Sequence, residues 1–275
     1  MDEQNIALSL KQVGYCVHRN DGVWWLQVGP FFCKTLDPML ALLPQSSRPK
    51  FQYSMLGYSH VVSDPNLATR TWPVMSLSKE RISNFEVGQL KPRKRTSVRK
   101  ALRQVEVRRI EAIEPVLDTL NEICVSAAQR TGNGKPPEYY LQKRQEWECY
   151  MVREFSIPNR EWWGAYAEGR LVSYYYAYLI RTTMHIDAAK SHSNYLHLLP
   201  NDALLFTFLE YCRDLKSCDQ VIFGWWSPDA PTLNRFKETY GFERKDVPVY
   251  RHERVSFKLL SKAAQIRCVI TRGGS

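Results

Sequence analysis

The sequence predicts an α/β (α+β) fold in which a mixed, mostly antiparallel sheet is flanked by helices. Three observations carry that reading. From Glu161 to Ser191 run three strand-forming segments, EWWGAYAEG, RLVSYYYAYLI and TTMHIDAAKS, parted only by the turn pairs Glu168-Gly169 and Arg181-Thr182, so they form an antiparallel meander. The next segment is apolar at Leu204, Leu205, Phe208, Leu209, Cys212 and Leu215, a helical stripe rather than a strand alternation. After it come a short buried strand, VIFGWWS, a second helix with Leu233, Phe236 and Tyr240 on one face, and a last strand, DVPVYR. Thr232 stands where that helix needs an N-cap, and Gly241 where its end needs a left-handed residue.

Upstream, residues 1–90 read as a strand-rich region with GVWWLQVG, KFQYSMLGYSHVV and TWPVMSL as strands, broken by SSRPK and SDPN, and no helix of convincing length after LDPMLALL. Residues 91–255 form the second domain, and 256–275 a tail whose RGGS end reads as unstructured. The second domain opens on a helix that Thr96 or Ser97 caps, followed by VEVRRI as a strand. A long helix then aligns Ile113, Val116, Leu117, Leu120, Ile123, Cys124 and Ala127 on one face, with Pro115 in its first turn and Thr131-Gly132 at its end. The loop NGKPP leads to one further helix carrying Tyr140, Leu141, Trp147 and Met151. Residues 105–250 therefore read β-α-α-β-β-β-α-β-α-β.

Composition bounds the function. With 275 residues and 44% apolar content the chain can bury one large or two small cores. Its seven cysteines include no C-x-x-C pair, and their odd number speaks against a disulfide framework or a structural zinc site. His192, His197 and Cys212 lack ligand spacing, so no metal is expected. MDEQNIALSL lacks the basic start and apolar core of a signal peptide, and no membrane-length apolar run occurs, so a cytoplasmic protein is expected.

The net charge is +10, and 9 of the 38 Lys and Arg residues fall between Lys91 and Arg109, a bias that favours an anionic partner. Arg95, Arg99 and Arg103 recur every four residues and form one stripe that can follow a nucleic-acid phosphate backbone. The plainer reading is the solvated face of a helix whose seam is Val98, Leu102 and Val105.

The chemistry-bearing candidates are few. His185 and Asp187 alternate with Met184, Ile186 and Ala188 on the third meander strand, so a carboxylate could orient a histidine as general base; the alternative is a hydrogen-bonded strand histidine beside a solvated Asp. Arg130 serves either an acceptor or the dipole at a helix C-terminus. Trp225 and Trp226 end a buried strand, where one is expected to face the cleft and at least one to pack the core. Asn234 either binds the donor through its amide or is solvated, and Lys237 either holds an anion or is an exposed helix lysine.

These phrases resemble a known family. KRTSVRKALRQVEVRRI, AAQRTG at the end of the long helix, GAYAEGRLVSYYYAY and LNRFKETYGF together resemble the GNAT acyltransferase fold, in its FemAB-like branch, over most of Pro92 to Tyr250. The resemblance implies transfer of an acyl or aminoacyl group to an amine, with aminoacyl-tRNA or acyl-CoA as donor, no tightly bound cofactor, and an amine-bearing small molecule or peptide as acceptor. It implies that Lys237 reaches the reaction centre to hold a phosphate or oxyanion, and that residues 1–90 are a reduced first copy of the same fold.

Two departures favour aminoacyl-tRNA. The segment HSNYLHLLPNDALL has no glycine where GNAT enzymes seat the CoA pyrophosphate, and Asp202 is expected in that helix's first turn, satisfying the helix end and repelling phosphate. Phe236 stands where many GNAT enzymes carry a proton-donating tyrosine. The alternatives are an acyl-CoA-dependent N-acetyltransferase and a non-catalytic GNAT-like protein that binds nucleic acid.

Overall fold

The computed structural model describes residues 3–132 and 135–253. They divide into two compact units: Pro73–Lys245, and residues 3–72 together with 246–253. The division does not fall at residue 90, because Ser76 and Leu77 belong to the sheet of the larger unit, where they pair with Ile222 and Val221.

In the smaller unit, α1 (Glu3–Gln12) precedes β1 (Val17–Asn20), β2 (Val23–Gly29), β3 (Phe32–Thr35) and β4 (Gly57–Val61). Their sheet runs β1-β2-β3-β4-β11, where β11 is Glu243–Glu253. Sequence reading missed α1, whose Ile6, Ala7 and Leu10 are buried on one face. LDPMLALL forms no helix; the Asp37 carboxylate accepts from the Met39 amide at 2.9 Å and holds a turn instead. Trp25, Cys33 and Tyr58 make the unit's core. Gly57 has φ +143°, and a Cβ there would sit 2.2 Å from the His252 carbonyl, so β4 approaches β11 as only glycine allows.

The larger unit contains β5 (Arg70–Leu77, entering from the smaller unit), α2 (Lys79–Ser83), α3 (Pro92–Gln104), β6 (Glu106–Arg109), α4 (Leu117–Thr131), α5 (Pro137–Gln142) and α6 (Arg144–Phe155). Then follow β7 (Arg160–Ala167), β8 (Arg170–Ile180), β9 (Thr183–Ser191), α7 (Pro200–Asp214), β10 (Gln220–Trp225) and α8 (Pro231–Glu238). Its sheet order is β5-β10-β9-β8-β7-β6, antiparallel except for β9 with β10.

The meander, α7, β10 and β11 stand where the sequence puts them. Glu168 and Arg181 take left-handed φ of 50° and 51° in the two hairpin turns. Gly132 closes α4 at φ 63°. Helix starts are the corrected points. α3 begins at Pro92, not at Thr96 or Ser97, whose hydroxyls bond back to the Pro92 and Arg93 carbonyls at 3.2 Å; proline at the first turn gives up no needed donor, so it outcompetes the hydroxyl cap. α8 likewise begins at Pro231 with Ala230 as its cap, so Thr232 lies inside it. The single helix expected through Tyr140 and Met151 breaks at Lys143 into α5 and α6.

Two apolar layers sandwich the sheet. On one side α3 and α7 bury Val98, Ala101, Leu204, Leu205 and Phe208 against Met184 and Ile186. On the other, α4 to α6 bury Ile123, Cys124, Tyr140, Trp147 and Met151 against Tyr174 and Tyr176. The tail expected at 256–275 lies outside the described residues. Among the described residues no helix is long and apolar enough to cross a membrane.

Candidate active site

The site follows from where two parallel strands stop pairing. β9 and β10 pair only from Thr183–Gln220 to His185–Ile222. Beyond that point Ala189, Lys190 and Ser191 of β9, Tyr175 of β8 and Phe223 of β10 line a cavity of about 560 Å³, to which α4 contributes Arg130 and α8 contributes Phe236.

A bulge decides which way Lys190 faces. The β8–β9 register shifts between Tyr176↔Ala188 and Ala177↔Ile186, leaving Asp187 without a ladder partner. Met184 and Ile186 pack with α7, whereas Ala188 packs with the α4–α6 layer, so the extra residue reverses the alternation. Lys190, in phase with Ala188, turns towards α4. There its Nζ donates to Tyr140 Oη at 3.0 Å and Cys124 Sγ at 3.3 Å, and lies 4.9 Å over the Tyr140 ring. Burial works against its charge, but Cys124 and Tyr140 outweigh that cost and hold its pKa above the ordinary lysine value.

Arg130 ends α4 and donates through Nη1 to the Ser191 carbonyl at 3.2 Å and Ser193 Oγ at 3.1 Å. Burial lowers its pKa. Lys237 is 3% exposed; its Nζ donates to the Trp225 carbonyl at 3.1 Å and sits 4.8 Å over the Phe223 ring. Burial pulls its pKa down from 10.5 to about 8. Among the described residues no carboxylate pairs with Lys190, Arg130 or Lys237; every partner of these cations is neutral.

The α7 end of the cavity is held by hydroxyls. Asn201 Oδ1 accepts from Ser191 Oγ at 2.7 Å and from Ser173 Oγ at 3.4 Å, tying the first turn of α7 to β9 and β8. Asp202, expected to cap that turn, instead points inward: its Oδ1 accepts from Lys94 Nζ at 2.6 Å and from Tyr240 Oη at 2.8 Å. No side chain caps α7. The negative charge expected to repel a phosphate there is offset by Lys94.

Other expectations are redistributed. His185 and Asp187 do not form one unit at this cavity: His185 is 7% exposed and stacks on Tyr178 at 4.9 Å, while the Asp187 carboxylate takes Arg160 Nη1 at 3.2 Å. Asn234 is spent on the loop after β10, its amide bonding the Ser227 carbonyl at 2.6 Å and its Oδ1 accepting from the Ser227 amide at 3.3 Å. Trp225 is 54% exposed and neither it nor Trp226 lines the cavity; Trp225 contributes its carbonyl, turned towards Lys237 next to Gly224 at φ +58°. Lys237 stands behind Phe223 rather than on the cavity wall. Arg99 and Arg103 are exposed and Arg95 half-buried on α3, with no carboxylate paired to any of the three among the described residues.

Lys190 was missed by sequence reading. The available signal was its being the one lysine in the three meander strands. Among the described residues no His, Cys, Asp and Glu cluster could hold a metal ion.

No family model matches the sequence, and no curated protein matches it. Solved structures do match. FemX aligns with a TM-score of 0.60 at 12% identity, covering 94% of this chain and 92% of FemX. The C-terminal domain of an Agrobacterium fabrum protein described as a lysylphosphatidylglycerol synthetase gives 0.59 at 10% identity, covering 95% and 91%. A tandem GNAT protein from the clavulanic acid biosynthesis pathway gives 0.51 at 12%, covering 90% and 87%. At such identities the likeness is one of fold, and the fold is that of the tandem GNAT proteins.

Proposed function

We propose that this chain, with the fold of the tandem GNAT proteins, is an N-acyltransferase that moves an acyl or aminoacyl group to an amine from an activated ester or thioester held in the cavity where β9 and β10 part. The observation that carries the reading is the set of cations with only neutral partners, Lys190 and Arg130 on the wall and Lys237 behind Phe223. When an amine attacks a carbonyl, negative charge grows on the carbonyl oxygen, and fixed positive groups in a partly dry cavity stabilise it more than water does. Lys190 is the residue we assign to that oxygen. Arg130 is free of carboxylates and suits the anionic end of the donor.

Aminoacyl-tRNA is the preferred donor because no glycine turn precedes α7, and the α3 stripe supports it: Arg95, Arg99 and Arg103 carry charge that no carboxylate neutralises among the described residues. Reversing these three to Glu is expected to weaken tRNA binding and to flatten its dependence on salt by up to about three ions. Filter binding across a salt series measures this, and an unchanged slope would remove tRNA from the reading. The acyl-CoA alternative gains from one observation, the inward turn of Asp202 onto Lys94 and Tyr240, which leaves the first turn of α7 without an acidic cap.

The direct test incubates the full chain with radiolabelled aminoacyl-tRNA or acetyl-CoA and a panel of amines, then counts label that survives mild alkali, which cleaves the ester but spares the new amide. Label from the charged tRNA is the expected result. Label from acetyl-CoA alone selects the alternative, and label from neither, with RNA still bound, selects a binding protein. Lys190→Met should cut transfer by about 100-fold or more and cost about 1–2 kcal/mol of stability, because the Tyr140 hydroxyl and Cys124 thiol lose the ammonium they bond; melting curves separate that loss from a failure to fold.

A further inference from the structure

The larger unit holds a second cavity, of about 510 Å³, on the α4–α6 side of the sheet. Its walls are mainly the rings of Tyr140, Trp147, Tyr150, Tyr174 and Tyr176. The rings present both edges and faces: Tyr140 stands edge-on to Trp147 at 6.3 Å and 81° and to Tyr139 at 5.5 Å and 81°. A flat apolar group entering such a box gains offset and edge-to-face contacts beyond its buried area.

The box is already rich in cations. Lys190 lies over Tyr140, Lys135 over Tyr139 at 5.2 Å and Arg160 over Tyr176 at 5.3 Å. The acidic wall residue, Asp187, is held by Arg160. A ligand bearing several permanent positive charges would therefore meet Lys190, Lys135 and Arg160, with the faces of Tyr140, Tyr139 and Tyr176 already occupied.

Lys190 is common to both cavities. A ligand in the aromatic box that reaches Lys190 stands beside whatever occupies the donor cavity. A fixed ammonium next to an amine disfavours protonation of that amine, and the neutral amine is the form that attacks a carbonyl.

On the transferase reading above, we infer that this aromatic cavity seats the acceptor, and that the acceptor is a primary amine carried on an aromatic or similarly flat apolar body. The amine nitrogen forms the new bond to the acyl carbon. The donor's oxygen or sulfur leaves with the bonding electron pair and takes up the proton that the amine releases.

The test measures binding without any donor, by calorimetric titration of the full chain at pH 8 with tyramine and, separately, with spermidine. Tyramine should bind at least about tenfold more tightly than spermidine, a difference of about 1.4 kcal/mol. Ala188→Leu, which fills the cavity from β9, and Tyr150→Ala, on its exposed side, should each weaken tyramine binding by about tenfold or more. Melting curves identify a variant that fails to fold, and the two substitutions sit on different elements so that one failure leaves the other readable. Equal or tighter binding of spermidine, or tyramine binding untouched by both folded variants, overturns the assignment. Label transfer without tyramine binding overturns this inference alone. Tyramine binding without transfer from any donor overturns the transferase reading, and the acceptor role with it.

Discussion

Lys237→Met is expected to be more stable than the parent at pH 7 and less active. The ammonium is 3% exposed, has no carboxylate partner and has its pKa lowered to about 8 by burial. A lysine whose folded pKa lies below its unfolded value of 10.5 binds a proton less readily when folded, so between those two values the unfolded chain holds more protons and folding strengthens as pH rises. Below about pH 8 both states are protonated and the cost of the buried charge is fully present, about 3 kcal/mol by linkage. Methionine removes that cost and also loses the bond to the Trp225 carbonyl, so a net gain of about 1–2 kcal/mol is expected. Denaturation of both proteins from pH 7 to pH 10.5 gives the check: the gap should close with rising pH, and parallel curves would refute the buried-charge account. Transfer should fall by about tenfold, less than for Lys190→Met, because Lys237 acts on the cavity through the Phe223 ring and the Trp225 carbonyl. A cation kept buried at a cost to stability, beside a ring that lines the cavity, has the physical signature of a functional group.

Asp202→Ala should strongly destabilise the larger unit, although it lies outside the apolar core. Asp202 Oδ1 accepts both Lys94 Nζ and Tyr240 Oη, with only 15% and 10% of the Lys94 and Asp202 side chains exposed. Removing it leaves the Lys94 charge over the Phe236 and Tyr240 rings without a counter-charge, and such a break costs about 3 kcal/mol or more. Asp202→Asn keeps an acceptor for one donor and should lose about half as much. Urea denaturation of the three proteins at neutral pH measures both losses, and a loss below about 1 kcal/mol for Asp202→Ala would mean that the pair behaves like a surface ion pair.

Much of the fold was legible. The meander was readable because its turns need φ > 0, which Glu168-Gly169 advertises, and because Tyr, Val and Ile favour a pleated surface. α7 was readable because its apolar residues recur at helical spacing over about three turns. Helix starts were not, since Thr96, Ser97 and Thr232 are good caps in isolation but lie within a turn or so of a proline that begins the helix first. α1 escaped because its three buried positions are too few to stand out from a polar sequence.

The site was less legible, and the reason is the bulge at Asp187. Strict alternation puts His185 and Asp187 together and assigns Lys190 to the α7 face. One extra residue turns Lys190 to the opposite layer, where Cys124 of α4 and Tyr140 of α5 receive it, and the Asp187 carboxylate goes to Arg160. Asn234 and Trp225 fall at the β10–α8 junction, yet the loop consumes one and solvent covers the other.

What the sequence by itself determined is the order of elements, the basic helix and the absence of a glycine turn ahead of α7, because periodicity, charge and turn chemistry are properties of neighbouring residues. What only the tertiary structure decided is which charges go unpaired. Asp202 could be predicted near the start of α7, but that Lys94, over a hundred residues earlier, would neutralise it depends on α3 packing against α7. That Lys190, Arg130 and Lys237 find only neutral partners is likewise a statement about which side chains the fold brings within a few ångströms, and local sequence carries no record of it.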